Sequence, residues 1–437
     1  MKRFLICAGV LILFLGISLV IILVSLGHDL PPQDYPELAL TYESVPEEEN
    51  AYPLFLKAFE LSTLEEQNDL IQSYWERGEN AEAFAELMAE NESMITLLKQ
   101  GVKKESCQPP EITSYADLMP YSHEWLSMGK FLVGSSKWLR EEGQWEEAVD
   151  RALLAASFGN LIMQAPESLI QYLVGVAQVN LAMTELRELS FQEQCRSEDL
   201  LRIAEALENL TAPEQAGIVA MKQEFKVIQH TLGDFEKEQM TWGFIESLNS
   251  SASSSLVSKI KIPGYFFRPN QTEQIFAAFF TIGIENFAKP YAERKEDGLD
   301  NLLKGSRGVK RLLQPNALGD LLVMILCPSF ESIVKTTYKV SAEIRATQVL
   351  VALQLSRREQ GSLPEKLELL VPVYLDTVPV DPFDGQPFRY DVERGILYSV
   401  GVNGVDDGGA ELLLEEGEEN RGYRKRWNGE DAVFGVE

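Results

Sequence analysis

The chain has 437 residues, with 67 acidic and 39 basic side chains and a formal net charge of −28. Hydrophobic residues make up 45% and charged residues 24%, a balance typical of a folded globular protein rather than a disordered one. The excess of acid argues against nucleic acid as the main partner and against docking by charge onto anionic lipid, because both need clustered Lys and Arg.

An uncharged apolar run covers residues 4–26, directly after Lys2 and Arg3. A helix needs about 20 apolar residues to cross the hydrocarbon core of a bilayer, so this run predicts a single transmembrane helix within residues 1–27. Basic residues before the run and acidic residues after it place the N-terminus in the cytoplasm and the remaining chain outside. A cleaved signal peptide is the alternative, although its apolar core usually has only about 7–15 residues. Both interpretations predict export of the main part of the chain.

The exported part begins with a segment, residues 28–49, whose prolines and acids predict a linker without regular structure. From residue 50 to residue 328 apolar residues recur three and four apart, which predicts a mainly helical domain. The predicted helices cover residues 52–61, 65–100, 115–141, 144–164, 166–189, 197–209, 212–248, 271–287 and 316–326.

One part of this helical domain resembles the helix–turn–helix unit of tetratricopeptide repeats. Gly143 is followed by Trp145, Ala148 and Ala155 at the spacing of that unit. This interpretation assigns the glycine to close helix packing at the turn and Ala148 to the approach of a neighbouring helix. Residues 76–83 match the same pattern more weakly, because they lack the aromatic residue. The favoured prediction is an irregular helical bundle with one repeat-like hairpin, and a repeat solenoid is the alternative.

The composition changes in the last part of the chain, residues 329–437. A long helix is predicted from residue 329 to about 358, followed by a short helix within 362–370. Alternating residues predict two antiparallel strands, 388–392 and 396–400, joined at Arg394 and Gly395. The sequence therefore predicts a mainly α protein with a transmembrane anchor, a helical domain and a small α+β C-terminal module.

The C-terminal module carries a recognisable order of motifs. Residues 361–364 read Gly-Ser-Leu-Pro, residues 381–385 read Asp-Pro-Phe-Asp-Gly, and residues 397–401 read Leu-Tyr-Ser-Val-Gly. Over residues 341–409 this order resembles the periplasmic part of major type II secretion pseudopilins. The whole chain also resembles a family of uncharacterised, membrane-anchored bacterial proteins with a helical body and the same tail, which implies a bacterial cell membrane. The apolar run lacks the acidic residue that guides pseudopilin assembly, so we do not expect incorporation into a pilus.

The pseudopilin resemblance implies a calcium site in the loop after the last motif. Asn403, Asp406 and Asp407 supply oxygen atoms in this glycine-rich loop, and Asp431 would close the site from the chain end. Calcium takes about six to eight oxygen ligands, which such a loop offers. The alternative is a solvated acidic turn whose glycines adopt positive φ.

The sequence contains no recognised catalytic motif. His28, His123 and His230 form no metal-binding pair, and there is neither a nucleophile elbow nor a phosphate-binding loop. Cysteines 107, 195 and 327 allow either one disulfide or buried unpaired thiols.

These observations favour a non-enzymatic, membrane-tethered extracytoplasmic scaffold that binds an unknown protein or peptide. The alternatives are a carboxylate-dependent envelope hydrolase and an accessory component of a pseudopilin-like secretion apparatus. A pocket with two close, buried acids in the helical region would favour the hydrolase. A broad apolar groove without such a pair would favour the scaffold.

Overall fold

The computed structural model describes residues 28–40, 44–111, 122–238, 264–294, 314–327, 330–410, 426–427 and 429–436. The transmembrane prediction for residues 4–26 lies outside the described residues. In the part of the chain that is described, no helix is long and apolar enough to cross a membrane.

The described residues are mainly helical, which confirms the predicted fold class at this level. Most helix bounds fall within a few residues of those expected from the apolar periodicity, except that the predicted stretch 65–100 forms three helices. In chain order, the helices are α1 (Tyr52–Glu60), α2 (Asn68–Arg77), α3 (Ala81–Glu90), α4 (Glu92–Gly101), α5 (Ser122–Glu141), α6 (Trp145–Gln164), α7 (Leu169–Phe191), α8 (Ser197–Glu208), α9 (Pro213–Glu238), α10 (Pro269–Phe287), α11 (Ala317–Leu326) and α12 (Phe330–Gln360).

The centre of the helical body is the packing of α6 against α7. Two glycines allow this contact. A Cβ atom on Gly159 would lie 2.9 Å from the backbone nitrogen of Val179, and one on Gly175 would lie 2.6 Å from the backbone nitrogen of Met163. A larger residue at either position would push the two backbones apart.

The turn between α5 and α6 corrects the sequence interpretation of Gly143. Its φ is +77°, and a Cβ added there would meet nothing within 4 Å. The glycine is therefore favoured by its left-handed backbone conformation and not by close packing. Ala148 and Ala155 are fully buried, as expected for residues at a helix contact. Membership in the tetratricopeptide class stays a prediction.

The long helix α12 packs against α7, α8 and α9, and it also contacts the C-terminal module. That module contains a three-stranded antiparallel sheet, in the order β1 (Arg389–Asp391), β2 (Ile396–Ser399) and β3 (Ala432–Gly435). The first two strands were predicted, whereas β3 was not. A 3₁₀ helix, Leu367–Leu370, replaces part of the predicted short helix.

A buried ionic cluster joins the end of the chain to this helical body. Glu343 of α12 is fully buried, and its Oε1 accepts hydrogen bonds from Arg426 Nη1 (2.6 Å) and Trp427 Nε1 (2.8 Å). Its Oε2 lies 2.7 Å from Nη2 of Arg187 in α7, and Arg187 also donates to Thr347 (2.7 Å). Burial alone would raise the pKa of Glu343, but the two guanidinium groups and the indole N–H outweigh it and lower that pKa. The carboxylate therefore holds α7, α12 and the chain end together in its ionised form.

The predicted linker differs from the expectation in one respect. Its described residues, 28–40 and 44–49, form two short 3₁₀ turns, Pro36–Leu38 and Glu47–Glu49, and its first half packs on the body. The ring of Tyr35 meets Phe225 edge-on, with 5.5 Å between centroids, and Leu38 is buried. These apolar contacts help to hold an otherwise irregular segment on the body.

We expect Glu343→Gln to lower the free energy of unfolding by about 3–5 kcal/mol, because it removes the buried carboxylate that pairs with Arg187 and Arg426. The lowered folded-state pKa makes Glu343 stabilising above the pKa of the unfolded chain. That contribution is lost as the pH falls through the folded-state pKa. Urea denaturation of the full-length protein across acidic pH measures both effects.

The matched control is Glu79→Gln, which removes an exposed ion pair with Arg77 (3.0 Å). Such surface pairs contribute less than about 1 kcal/mol. Equal losses in the two variants would contradict the role assigned to the buried cluster.

Candidate functional site

The structure brings together the four residues of the predicted calcium site. Three of them lie in residues 401–409, which we call the C-terminal loop. Asp431 reaches the loop from the far end of the chain and is buried, with 2% of its surface exposed. Its carboxylate accepts the backbone N–H groups of Gly409 (2.8 Å), Ala410 (3.3 Å) and Asp407 (3.4 Å). Burial raises the pKa of Asp431, and these amides oppose that rise. Both Asp431 oxygens are thus engaged by the loop backbone.

The remaining predicted ligands also have protein partners. Asp406 accepts hydrogen bonds from the Gly408 N–H (3.0 Å), the Tyr398 hydroxyl (3.2 Å) and Arg389 Nε (3.3 Å). These donors, the Gly408 N–H foremost, lower the pKa of Asp406. Asn403 donates through its side-chain amide to Asp407 (2.9 Å).

This loop is therefore not a preformed cation cage. Arg394 donates to the backbone carbonyls of Gly408 (2.5 Å) and Gly409 (2.8 Å), the kind of oxygen atom that calcium would use. Within the described residues, no group of three or more His, Cys, Asp or Glu side chains is placed to hold a metal ion. A calcium ion would have to displace protein donors, and calcium binding here stays a prediction.

Asp381 explains why two of the sequence motifs occur together. It is the first residue of the Asp-Pro-Phe-Asp-Gly motif and is fully buried. Its carboxylate accepts the Phe383 N–H (3.0 Å) in its own turn, and the Ser399 hydroxyl and Val400 N–H (both 2.9 Å) in the Leu-Tyr-Ser-Val-Gly motif. Burial raises the pKa of Asp381, and the three hydrogen bonds oppose that rise. The residue braces the turn against β2.

A cavity of 380 Å³ lies between the helical body and the C-terminal module. Glu214, at the start of α9, lines it and is 8% exposed. Its Oε1 accepts hydrogen bonds from Ser341 (2.7 Å) and Arg345 (3.2 Å), both on α12. Its Oε2 is buried and has no hydrogen-bond partner among the described residues. Asp381 is the other acid of this cavity, but its oxygens are already engaged in bracing the turn.

A second concave site of 320 Å³ lies between α8 and residues 372–376. Leu201 and Val373, which line this groove, are 57% and 71% exposed. The groove also contains acidic side chains on both of its sides: Glu205, Glu208 and Asp376. We call this site the apolar groove. The sequence-based predictions did not include this groove, because it forms only where α8 meets residues 372–376, which lie far along the chain from α8.

Burial keeps the thiols of Cys107 and Cys195 in their protonated form. Cys107, Cys195 and Cys327 are all buried and form no disulfide with one another, which favours the second of the two alternatives left open by the sequence. Burial raises the pKa of Cys107, and it raises the pKa of Cys195 to about 11. Thiols of this kind stay protonated at neutral pH and are poor nucleophiles.

Glu185 has a strongly shifted pKa for a structural reason. Burial between helices raises this pKa to about 7, against the opposing effects of Arg140 (3.1 Å) and Ser136 (3.3 Å). Glu185 lines neither the cavity nor the apolar groove. A perturbed pKa suggests a functional site only when the group also faces a cleft.

No protein-family model, curated protein or solved structure matches this chain. The chemistry of the apolar groove, the cavity beside Glu214 and the C-terminal loop is therefore the basis for a functional proposal. Of these, the groove offers exposed apolar surface and the cavity offers one unpaired carboxylate oxygen.

We expect calcium to bind the C-terminal loop weakly, with a Kd on the order of 10⁻⁴–10⁻³ M, because it must displace Arg389 from Asp406. Arg389→Gln should strengthen binding by removing this competitor, and Asp406→Asn should abolish it. Thermal unfolding of the full-length protein in millimolar calcium and in excess chelator measures the effect as a shift in Tm.

Magnesium at the same concentration is the control, because it accepts an irregular oxygen set less readily than calcium does. If neither calcium nor chelator changes the Tm of the wild type or of Arg389→Gln, the predicted site is ruled out.

Proposed function

We propose that the protein is a membrane-tethered extracytoplasmic scaffold that binds a protein partner through the apolar groove. The exposed pair Leu201 and Val373 carries this proposal. Soluble proteins expose single apolar residues often, but large apolar side chains grouped around a concave site are typical of interaction surfaces. The tether is the predicted transmembrane helix at residues 4–26.

The charges around the groove indicate the chemistry of the partner. Glu205, Glu208 and Asp376 are exposed and line the groove beside its apolar side chains. A complementary segment has a large apolar side chain that enters the groove, flanked by Lys or Arg residues that meet these acids. The apolar contact would supply most of the affinity, whereas the charges would set the association rate and specificity.

The resemblance to pseudopilins suggests one setting for such a scaffold. An accessory role in a secretion apparatus would require a partner from that apparatus in the groove. The same groove in a general envelope scaffold would hold a segment from another protein. The identity of the bound segment distinguishes these two roles.

We expect a photo-crosslinking amino acid at position 373 to capture the partner in native membranes. Leu201→Asp should reduce this crosslinking by at least about 30-fold, the equivalent of losing a contact worth 2 kcal/mol, because a charge replaces the apolar surface of the groove. Mass spectrometry of the crosslinked peptide identifies the bound segment. It should contain a large apolar residue between Lys or Arg residues.

Ile170→Asp is the matched control, because Ile170 is 56% exposed and lies on α7 outside the groove residues. It should leave crosslinking unchanged. Equal crosslinking in the two aspartate variants, or a bound segment without basic residues, would contradict the proposal.

An envelope hydrolase is a second candidate, favoured by Glu214. A buried carboxylate with one unpaired oxygen beside a cavity of 380 Å³ has the features of a general acid or base. Two-carboxylate glycoside hydrolysis needs a second acid with free oxygens, and Asp381 does not supply it. The exposed apolar side chains of the groove therefore favour the scaffold over this alternative.

Glu214→Gln separates the two candidates. The amide oxygen can still accept from Ser341 and Arg345, while an amide nitrogen replaces the unpaired oxygen. We expect unchanged crosslinking from position 373, because the groove lies elsewhere. A hydrolase acting on envelope glycans or peptides would instead lose about 10²–10⁴-fold in kcat, and such a loss would favour the second candidate.

A further inference from the structure

The chain is attached to the helical body immediately after the predicted transmembrane helix. The Asp29 carboxylate accepts the backbone N–H groups of Asn270 (2.8 Å) and Gln271 (3.0 Å), at the first turn of α10. The side chain of Asn270 donates in turn to the Leu30 carbonyl (2.8 Å). Asp29 thus caps a helix that lies about 240 residues away in the sequence.

This attachment limits the distance between the body and the membrane. The predicted span ends at residue 26, and an extended chain covers at most about 3.6 Å per residue, so Asp29 lies within about 11 Å of the span. Beyond Asp29 the chain is held again, because Tyr35 packs on Phe225 and Leu38 is buried. With residues 4–26 in the bilayer, the N-terminus of α10 would therefore lie near the lipid surface.

The start of α11 lies at the same place. Asn316, which precedes α11, accepts the Arg268 N–H (2.8 Å) and the Thr272 hydroxyl (3.0 Å), both at the start of α10. The Leu318 N–H in α11 donates to the carbonyl of Phe266 (2.9 Å). A ten-residue helix is about 15 Å long, so no residue of α11 lies more than about 15 Å from the start of that helix.

Apolar side chains near this point are exposed. Met324 and Ile325 of α11 are 40% and 52% exposed, whereas Val323 and Cys327 on the same helix are buried. Leu30, next to Asp29, is 41% exposed. We call Leu30, Met324 and Ile325 the membrane-facing surface.

We infer that the membrane-facing surface rests on the lipid bilayer that holds the tether, with its side chains at the boundary between headgroups and acyl chains. The inference rests on the transmembrane tether of the proposed function. The net charge of −28 opposes docking by charge onto anionic lipid, so the contact is apolar. The body is then held in one orientation on the membrane instead of moving freely at the end of a linker.

The test places an environment-sensitive fluorophore on Ile325→Cys in the full-length protein, reconstituted into phosphatidylcholine vesicles. The native cysteines of the described residues are buried, and Cys7→Ala removes the one in the predicted span. Nitroxide-labelled lipids should quench emission at position 325 about twofold, as expected for a side chain about 5–10 Å into the interface. Val405→Cys is the matched control, because Val405 is 54% exposed and belongs to the C-terminal loop, and it should not be quenched.

Flotation of the same vesicles reports the tether separately. Protein that floats but shows equal, water-like emission at 325 and 405 overturns this inference and leaves the tether intact. Protein that does not float overturns both. Asp29→Ala provides a further check: quenching at 325 should fall while the protein still floats, because the body is no longer attached next to the span. Unchanged quenching in that variant would contradict the role of Asp29.

Discussion

The buried charge of Glu343 is the constraint on which the arrangement of this protein depends. A carboxylate without exposed surface is costly to desolvate, and it is tolerated only when cations and hydrogen-bond donors reach it. Here the donors come from two distant parts of the chain, Arg187 in α7 and Arg426 with Trp427 near the C-terminus. The carboxylate cannot be satisfied by the helical body alone. Burial of this carboxylate therefore requires both that the helical body folds and that the C-terminal module docks on it.

The helix that carries Glu343 also forms part of both concave sites. Arg345 of α12 lies at the cavity beside Glu214 and donates to the carbonyl of Val380 in the module (3.0 Å), and Leu355 lines the apolar groove. Each site thus has one wall from the body and one from the module. Asp381 stiffens the module's wall by joining its turn to β2. The shape of both sites follows from the docking that the buried cluster enforces.

The sequence predicted the elements that local patterning determines. It did not predict features that depend on contacts between residues far apart in the chain. Apolar periodicity located most helices, because it reflects burial of one helix face. Residue alternation located β1 and β2, although the three residues of β1 are all half-buried. The four-residue strand β3 lies far along the chain from its partner β2 and has no hairpin signal. The pairing of Asp29 with α10 likewise has no local signal. Gly143 was assigned to close packing, whereas its positive φ is what favours glycine. The close approach of α6 and α7 at Gly159 and Gly175 is evident only once these two helices are packed.

The same distinction applies to the candidate sites. Residues 403–407 and Asp431 do lie together, but the oxygens that a calcium ion would need face Arg389, Arg394 and backbone amides. A motif in the sequence specifies which oxygens are near one another and not which partners already occupy them. The groove around Leu201 is similarly a property of the assembled surface, because α8 and residues 372–376 meet only in the folded protein.

Both ends of the described chain are held on the helical body, and this favours a binding role over one that needs large movements. Asp29 holds the N-terminal segment on α10, and the Glu343 cluster holds the C-terminal segment on α7 and α12. Order of this kind is imposed during folding, so a partner that binds the groove has less conformational entropy to remove. A basic, apolar segment, as proposed for the partner, would meet both the acids and the exposed apolar side chains of the groove.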